Sequence, residues 1–131
     1  MKVLRVRTKH YPEVIDIDCS LVSLGIEVEG PFRVFFSWGV AVALIWVEEG
    51  KLHDDCMEKL NRTLDGPYGI PIDIIVGTFL IVGLTEDDFG ELLPEFVEKY
   101  EKMFHQPRKF VAYTDSEGKT HLDVDYCTPE E

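Results

Sequence analysis

Residues that could carry chemistry are few in this sequence, and the densest group runs from His53 to Cys56. His53 and Cys56 stand three positions apart, so on a helix both could reach one metal ion. A tetrahedral site needs more ligands, and no second pair with fixed spacing follows. Cys56 as a nucleophile would need an electropositive setting, but Asp54 and Asp55 precede it. We interpret the segment as a solvated helix start and predict no metal and no cofactor.

A pair of carboxylates offers a second chemistry. Glu48 and Glu49 stand side by side before Gly50, and two neighbouring carboxylates can act as general acid and base. Carboxylates in a glycine turn are more often solvated. The phosphate-binding patterns GxxxxGK and GxGxxG do not occur in the sequence. Enzymatic activity therefore stays open, but the sequence favours a non-enzymatic protein.

One acidic residue within an apolar run, Asp73, is the strongest candidate for a polar site. A buried carboxylate must find hydrogen-bond donors, and the candidate donors are Asn61 and Arg62. One interpretation is a structural pair between Asp73 and Arg62. The other is a ligand site that Trp46 would also line, in which Arg62 clamps the carboxylate or phosphate of a small anion.

Net charge indicates the class of partner. The chain carries 13 Lys and Arg against 25 Asp and Glu, a formal net charge of −12. Such a surface repels nucleic acid phosphates and attracts basic partners, so we expect a protein partner with a basic surface and no nucleic acid. The predicted contact surface is an acidic run that consists of Glu86, Asp87, Asp88, Glu91 and Glu95.

Length and composition limit the remaining possibilities. The 131 residues suggest a single domain, 1–131. Three cysteines without a CxxC pair fit a reducing compartment. The first residues, MKVLRVRTKH, lack the apolar core of a secretory signal, and no apolar run reaches the length of a membrane span. We expect a cytoplasmic protein that does not bind membranes.

The elements that must position these residues are organised around 68–84, YGIPIDIIVGTFLIVGL, the most apolar run of the chain. Its β-branched residues suit a buried, pleated surface. We predict one central strand that kinks or bulges at Gly77. The apolar run 40–47 predicts a strand covered on both faces, preceded by another strand at 32–36.

Three elements are predicted before these strands. Residues 2–7 alternate well enough for an edge strand guarded by Lys and Arg, and a basic arm for an acidic partner is the alternative. A second strand is predicted at 13–17. Asp18 would then cap a helix. The apolar face of that helix consists of Leu21, Leu24, Gly25 and Val28.

The remaining predicted elements are two helices and two strands. Within residues 51–64, Asp54 and Asp55 precede an apolar spacing of three and four residues, which favours a short helix. Pro94 suits the first position of the main helix. The apolar stripe of that helix consists of Phe96, Val97, Tyr100, Met103 and Phe104. Strands at 109–113 and 120–126 complete the chain. This order predicts an α+β fold, with a mostly antiparallel, half-barrel-like sheet against one main C-terminal helix and one or two short helices.

The predicted C-terminal hairpin, 108–126, bears on self-association. One of its faces carries Leu122, Val124 and Tyr126, and a hairpin alone is marginal in water. This face either rests on the chain's own core or pairs with a second copy. Asp123 and Asp125 would then lie near their symmetry copies and repel, so monomer and homodimer both stay open.

Three segments together resemble a family of small bacterial domains known as domain of unknown function 3846. They are 42–52 (VALIWVEEGKL), the step Leu60-Asn61-Arg62 and 73–83 (DIIVGTFLIVG). In that family a strand ending in Asn-Glu-Glu-Gly-Lys-Leu precedes an Asn-Arg pair and an Asp-x-Ile-x-Gly strand; Val47 replaces the first Asn here. The resemblance covers about residues 2–105, so 106–131 would be an addition to a common core.

The resemblance implies a setting more than an activity. The family has no assigned activity and is typical of bacteriophages and conjugative elements, which implies an accessory role in a mobile element. Together with the charge, this favours an acidic protein-interaction module. The alternative is a protein that binds or sequesters an anionic small molecule.

Overall fold

The computed structural model describes residues 1–18, 20–30, 32–35, 41–47, 60–65, 71–86 and 88–129, with the backbone alone at 65 and 71–73. The segments predicted as turns at 37–39 and 48–50, and the group from His53 to Cys56, lie outside these residues. The strands are β1 Lys2–Val6, β2 Glu13–Asp16, β3 Arg33–Phe35, β4 Val42–Trp46, β5 Leu60–Asp65, β6 Pro71–Val76, β7 Phe79–Leu84, β8 Phe89–Gly90, β9 Arg108–Thr114 and β10 Thr120–Tyr126. The helices are α1 Leu21–Val28 and α2 Pro94–Met103.

The most apolar strand, β7, lies at the centre of the main sheet. Its register places Ile81 opposite Leu4 of β1 on one side and opposite Leu44 of β4 on the other. The strand order is β2-β1-β7-β4-β3, and β8 pairs with the end of β7. Every pairing in this sheet is antiparallel. The α+β class and the mostly antiparallel sheet are thus confirmed, while the half-barrel curvature stays a prediction.

The single central strand predicted at 68–84 is wrong, because the chain divides it into β6 and β7. Gly77 lies between them with φ at +76°, a left-handed conformation that breaks an extended strand. Apart from its chain neighbours, no described residue has an atom within 4 Å of a Cβ built at Gly77, so the backbone angle favours glycine there. After this break, β6 pairs with β5 in a separate two-stranded sheet.

The edge position predicted for β1 is also wrong. β1 pairs with β2 on one side and β7 on the other, and Val3, Leu4 and Val6 are fully buried. The guanidinium of Arg5 lies 2.8 Å from the carboxylate of Glu13 on β2 and 2.9 Å from that of Glu27 on α1. Arg5 therefore pairs with carboxylates of two neighbouring elements and does not guard an edge.

Both faces of the main sheet are covered, as predicted for β4, whose five residues are all buried. Leu24 and Val28 of α1 pack on one face. Tyr100 and Phe104 from α2 and its C-terminus pack on the other face, together with Leu64 and Ile75 of the β5–β6 sheet. The apolar residues of the sheet belong alternately to the two cores: Val3, Ala43, Ile45, Leu80 and Val82 to the α1 side, and Leu4, Val6, Leu44, Phe79 and Ile81 to the α2 side.

Helix α1 begins later than predicted. Its N-cap is Ser20, not Asp18, and the Ser20 hydroxyl accepts a hydrogen bond from the Ser23 N–H at 3.1 Å. Leu24 and Val28 are buried as predicted, but Leu21 is 67% exposed. The buried residues of this eight-residue helix, Leu24 and Val28, are about one turn apart.

The short helix predicted at 51–64 is wrong in its last part, where residues 60–65 form strand β5. Leu60 and Leu64 fit a helical spacing, yet Leu60–Leu64 are all buried, which a solvent-exposed helix would not allow. Helix α2 begins at Pro94 as predicted. The predicted hairpin is present as β9 and β10, with Gly118 at φ +81° in its turn.

Candidate functional site

Asn61 acts as a clamp between three backbone segments. A register shift in the β5–β6 ladder occurs between Leu60 and Arg62, as in a β-bulge, which frees one residue from regular pairing. The Asn61 side chain is fully buried, and its Nδ2 donates to the carbonyl oxygens of Val6 at 2.9 Å and Gly77 at 2.8 Å. It therefore connects the end of β1 with the residue that separates β6 and β7.

Arg62 continues this network and is only 1% exposed. Its Nε donates to the carbonyl of Phe104 at 3.0 Å, and its Nη2 donates to the carbonyl of His10 at 2.6 Å. Its Nη1 donates to Asn61 twice, to Oδ1 at 2.8 Å and to the backbone oxygen at 3.2 Å. Four of the five N–H groups of a guanidinium are thus used, and the acceptors come from three separate parts of the chain.

The electrostatics of Arg62 follow from this burial. Loss of water lowers the pKa of the guanidinium to about 10, with a further contribution from the positive charge of Arg108. The group is still a cation at neutral pH. Phe104 follows the last residue of α2, so its carbonyl lies at the negative end of the helix dipole, which favours a cation.

The structure brings only part of the predicted ligand site together. Asn61 and Arg62 contact each other, and Trp46 lies in the core with its ring 5.5 Å from that of Phe35. Asp73 pairs through its backbone with Leu64, and its side chain is outside the description. The donors that were expected to bind a ligand are directed instead at backbone carbonyls.

The acidic run lies on the turn after β7 and at the start of α2. Glu86, Asp88, Glu91 and Glu95 are exposed, and Asp87 is outside the described residues. The turn is closed by Thr85, whose N–H donates to the Asp88 carbonyl at 2.8 Å. Four of the five predicted contact residues are therefore available to a partner.

A groove adjoins this acidic run, between β1, β2 and α2. Its volume is about 430 Å³. The lining residues are Lys2, Val14, Glu91, Leu92, Pro94, Val97, Glu98, Glu101 and Lys102. Apolar side chains form much of the lining, and three carboxylates and two amines surround them. One of the amines, Lys102 Nζ, is already 3.0 Å from the Glu98 carboxylate.

Backbone contacts position the groove. The Leu92 N–H donates to the Lys2 carbonyl at 2.9 Å, and the Lys2 N–H donates to the Glu91 carboxylate at 3.2 Å. Gly83 permits the backbone of Glu91 to lie against β7, because a Cβ at residue 83 would collide with the Glu91 carbonyl. The glycine near the end of β7 therefore places Glu91 at the rim.

Eight of the nine groove residues were missed from the sequence as site residues; Glu91 alone belongs to the predicted acidic run. A signal was present, since Pro94, Val97, Glu98 and Glu101 are spaced as i, i+3, i+4 and i+7 and share one helical face. What the sequence did not show was that β1 and β2 lie beside that face.

The described residues contain neither a cluster of metal ligands nor a membrane-spanning helix. No group of three or more His, Cys, Asp and Glu residues in them is arranged to hold a metal ion. None of the helices found there is long and apolar enough to cross a membrane.

Comparison with known proteins places the chain in a family. No curated protein and no solved structure matches it significantly. A family model described as Domain of unknown function (DUF3846) matches residues 1–105, which include β1–β8, α2 and the Asn61–Arg62 network. The chain therefore belongs to the DUF3846 family.

Proposed function

We propose that this protein is a non-enzymatic interaction module whose groove beside α2 binds a basic segment of a partner protein. The observation that carries the proposal is the composition of the groove, in which Val14, Pro94 and Val97 lie beside the carboxylates of Glu98 and Glu101. A Lys or Arg of the partner would pair with the carboxylates, and an apolar side chain would contact the aliphatic surface.

The acidic run and the net charge support the same kind of partner. Glu86, Asp88 and Glu95 are exposed near the groove, and the whole chain carries −12. Such a field accelerates the approach of a basic partner and is screened by salt. An accessory role in a mobile element, which the family resemblance implies, belongs to this proposal.

The alternative, a site for an anionic small molecule, has less support. Arg62 was its central residue, but the guanidinium is 1% exposed and donates to carbonyl oxygens of the chain itself. An anion would have to displace these hydrogen bonds before it could bind the guanidinium.

A peptide-binding experiment tests the proposal. A labelled peptide that alternates Lys with Leu should bind the protein in fluorescence anisotropy, and a Glu-Leu peptide of equal length should not. Glu101→Lys reverses one rim charge and should weaken the Lys-Leu peptide about tenfold, since a close charge pair is worth about 1.4 kcal/mol. Glu117→Lys changes the net charge equally in the hairpin turn and should have little effect.

A second pair of variants tests the aliphatic part of the groove. Val14 is 48% exposed at the groove and Val22 is 72% exposed on α1. Val14→Thr keeps the β-branched shape but should weaken the peptide, whereas Val22→Thr should not. Equal losses in both members of either pair would mean that only overall charge or hydrophobicity acts, and the groove would be the wrong site.

A further inference from the structure

The hairpin β9–β10 exposes more apolar surface than an isolated hairpin can support. Its two strands form a sheet of their own, and all seven residues of β10 are exposed. On the face shared by Phe110, Leu122 and Val124, the last two are 38% and 37% exposed. A two-stranded hairpin alone is marginal in water and needs further strands or packing against another element; β9 contacts β5, whereas β10 is exposed along its whole length.

The hydrogen bonds of the hairpin show which groups of β10 are directed outward. At its two ends, the Asp115 N–H donates to the Lys119 carbonyl at 2.9 Å and the Cys127 N–H donates to the Pro107 carbonyl at 3.0 Å. Antiparallel ladders alternate, so the odd-numbered residues of β10 bond to β9. The N–H and C=O groups of 120, 122, 124 and 126 point away from it. Within the described residues, β10 pairs with β9 alone.

Charge then distinguishes the registers in which a second β10 could pair antiparallel to the first. With Leu122 opposite its own copy, Lys119 faces Asp125 and His121 faces Asp123, each of them twice. If Asp123 instead lies opposite its own copy, the two Asp123 carboxylates face each other. If Val124 lies opposite its own copy, Asp123 faces Asp125. Of these three registers, only the Leu122 register sets no carboxylate opposite another; His121, which contacts the Asp115 carboxylate of its own chain at 2.6 Å, would then also face Asp123 of the copy.

We infer that β10 pairs with β10 of a second copy, with Leu122 on the two-fold axis, to form the four-stranded sheet β9-β10-β10-β9. One face of this sheet would carry Phe110, Leu122 and Val124 from both copies and exceed the three-strand limit for stability. The hairpin suits this role in an acidic chain. Residues 108–126 hold three of the 13 cations but only four of the 25 carboxylates, so they repel their copy less than the rest would.

Proline at the axis tests the pairing. The wild-type chain should have about twice its 15.0 kDa mass in sedimentation equilibrium at high micromolar concentration. Leu122→Pro removes an outward N–H and keeps the bonds to β9, as tolerated on edge strands, and should give a monomer with an unchanged circular dichroism spectrum. Leu122→Val keeps the N–H and should stay dimeric. A monomeric wild-type chain, or a dimer that survives the proline, would overturn the inference.

A disulfide experiment tests the register independently of stability. Residues directly opposite in an antiparallel pair have Cα atoms about 5.5 Å apart, which a disulfide can bridge. Leu122→Cys should therefore form a symmetric crosslink under mild oxidation, identified by mass spectrometry of the linked peptide. Val124→Cys lies about 14 Å from its own copy in this register, at about 3.4 Å for each of four residues, and should not. Crosslinking at 124 and not at 122 would refute the register.

Discussion

Arg62→Met should destabilise the fold although it removes no contact with solvent or ligand. Met keeps an aliphatic stem of similar length but none of the donors. The carbonyls of His10 and Phe104 and the side-chain oxygen of Asn61 would each lose a partner that lies at 2.6–3.0 Å. Because these acceptors are held by different elements, we expect the change to loosen the contact between β5, the end of α2 and the turn after β1.

The expected loss of stability is the difference between two free energies. An unpaired buried acceptor costs about 1–3 kcal/mol, so three of them cost roughly 6 kcal/mol. Removing the buried cation returns part of this, because its pKa lies at about 10 instead of 12.5, which corresponds to roughly 3 kcal/mol of desolvation. The expected net loss in the free energy of unfolding is therefore about 3 kcal/mol.

Urea unfolding followed by circular dichroism measures this loss, with an unchanged slope m as the sign that both states keep their compactness. Protein concentration must be fixed, since self-association would add to the apparent stability. Lys99→Met is the matched control: Lys99 Nζ lies 5.3 Å from the centre of the Tyr100 ring, a contact worth about 1 kcal/mol or less. A loss below that of the control, or a gain in stability as seen when some buried ion pairs are replaced, would refute the structural role of Arg62.

Two further changes have outcomes that the structure specifies. Gly83→Ala should destabilise the fold by more than about 3 kcal/mol in urea unfolding, because its Cβ collides with the Glu91 backbone. Gly77→Ala should cost about 1 kcal/mol, since only its φ of +76° opposes a side chain; equal losses would contradict this distinction. The pKa of Asp115 lies below its ordinary 3.8, chiefly because His121 and then the Lys119 N–H bind the carboxylate. Its contribution to the turn is present above pH 3.8 and lost as the pH falls through the lower folded value. The amide resonance of Gly118 should follow that titration, and Asp115→Asn should abolish it.

The sequence predicted well those elements whose pattern is local. The stripe after Pro94 and the alternation in β10 depend on the spacing of neighbouring residues, and both elements are present with almost the predicted bounds. The run 40–47 was predicted to be covered on both faces, and β4 is. In each case the apolar side chains themselves contain the information, because hydrophobic burial needs no knowledge of the partner element.

The errors concern choices that distant residues decide. An apolar run shows that 68–84 is buried, but it does not show that β6 and β7 belong to different sheets. Likewise, alternation in β1 predicts a strand without indicating that β2 and β7 flank it. Residues 60–65 failed for another reason: a helix was predicted over 51–64, and Asn61 and Arg62 were expected to bind Asp73 or a ligand, not backbone carbonyls of distant segments. Carbonyl acceptors from distant segments make their burial possible: those of Val6 and Gly77 for Asn61, and those of His10 and Phe104 for Arg62.

The residues that place the chain in its family differ from those that can give it a function. Asn61, Arg62 and Gly83, which lie in the segments behind the resemblance, hold or accommodate backbone groups, so sharing them requires only a shared fold. The groove residues lie outside the segments behind the resemblance, and the hairpin lies beyond the matched residues 1–105. If β10 pairs with its copy, two grooves enter one assembly, and a partner with two basic segments would gain affinity by avidity without a new contact. An acidic domain with a shallow groove could then bind selectively, because two weak sites at a fixed distance discriminate between partners better than net charge does.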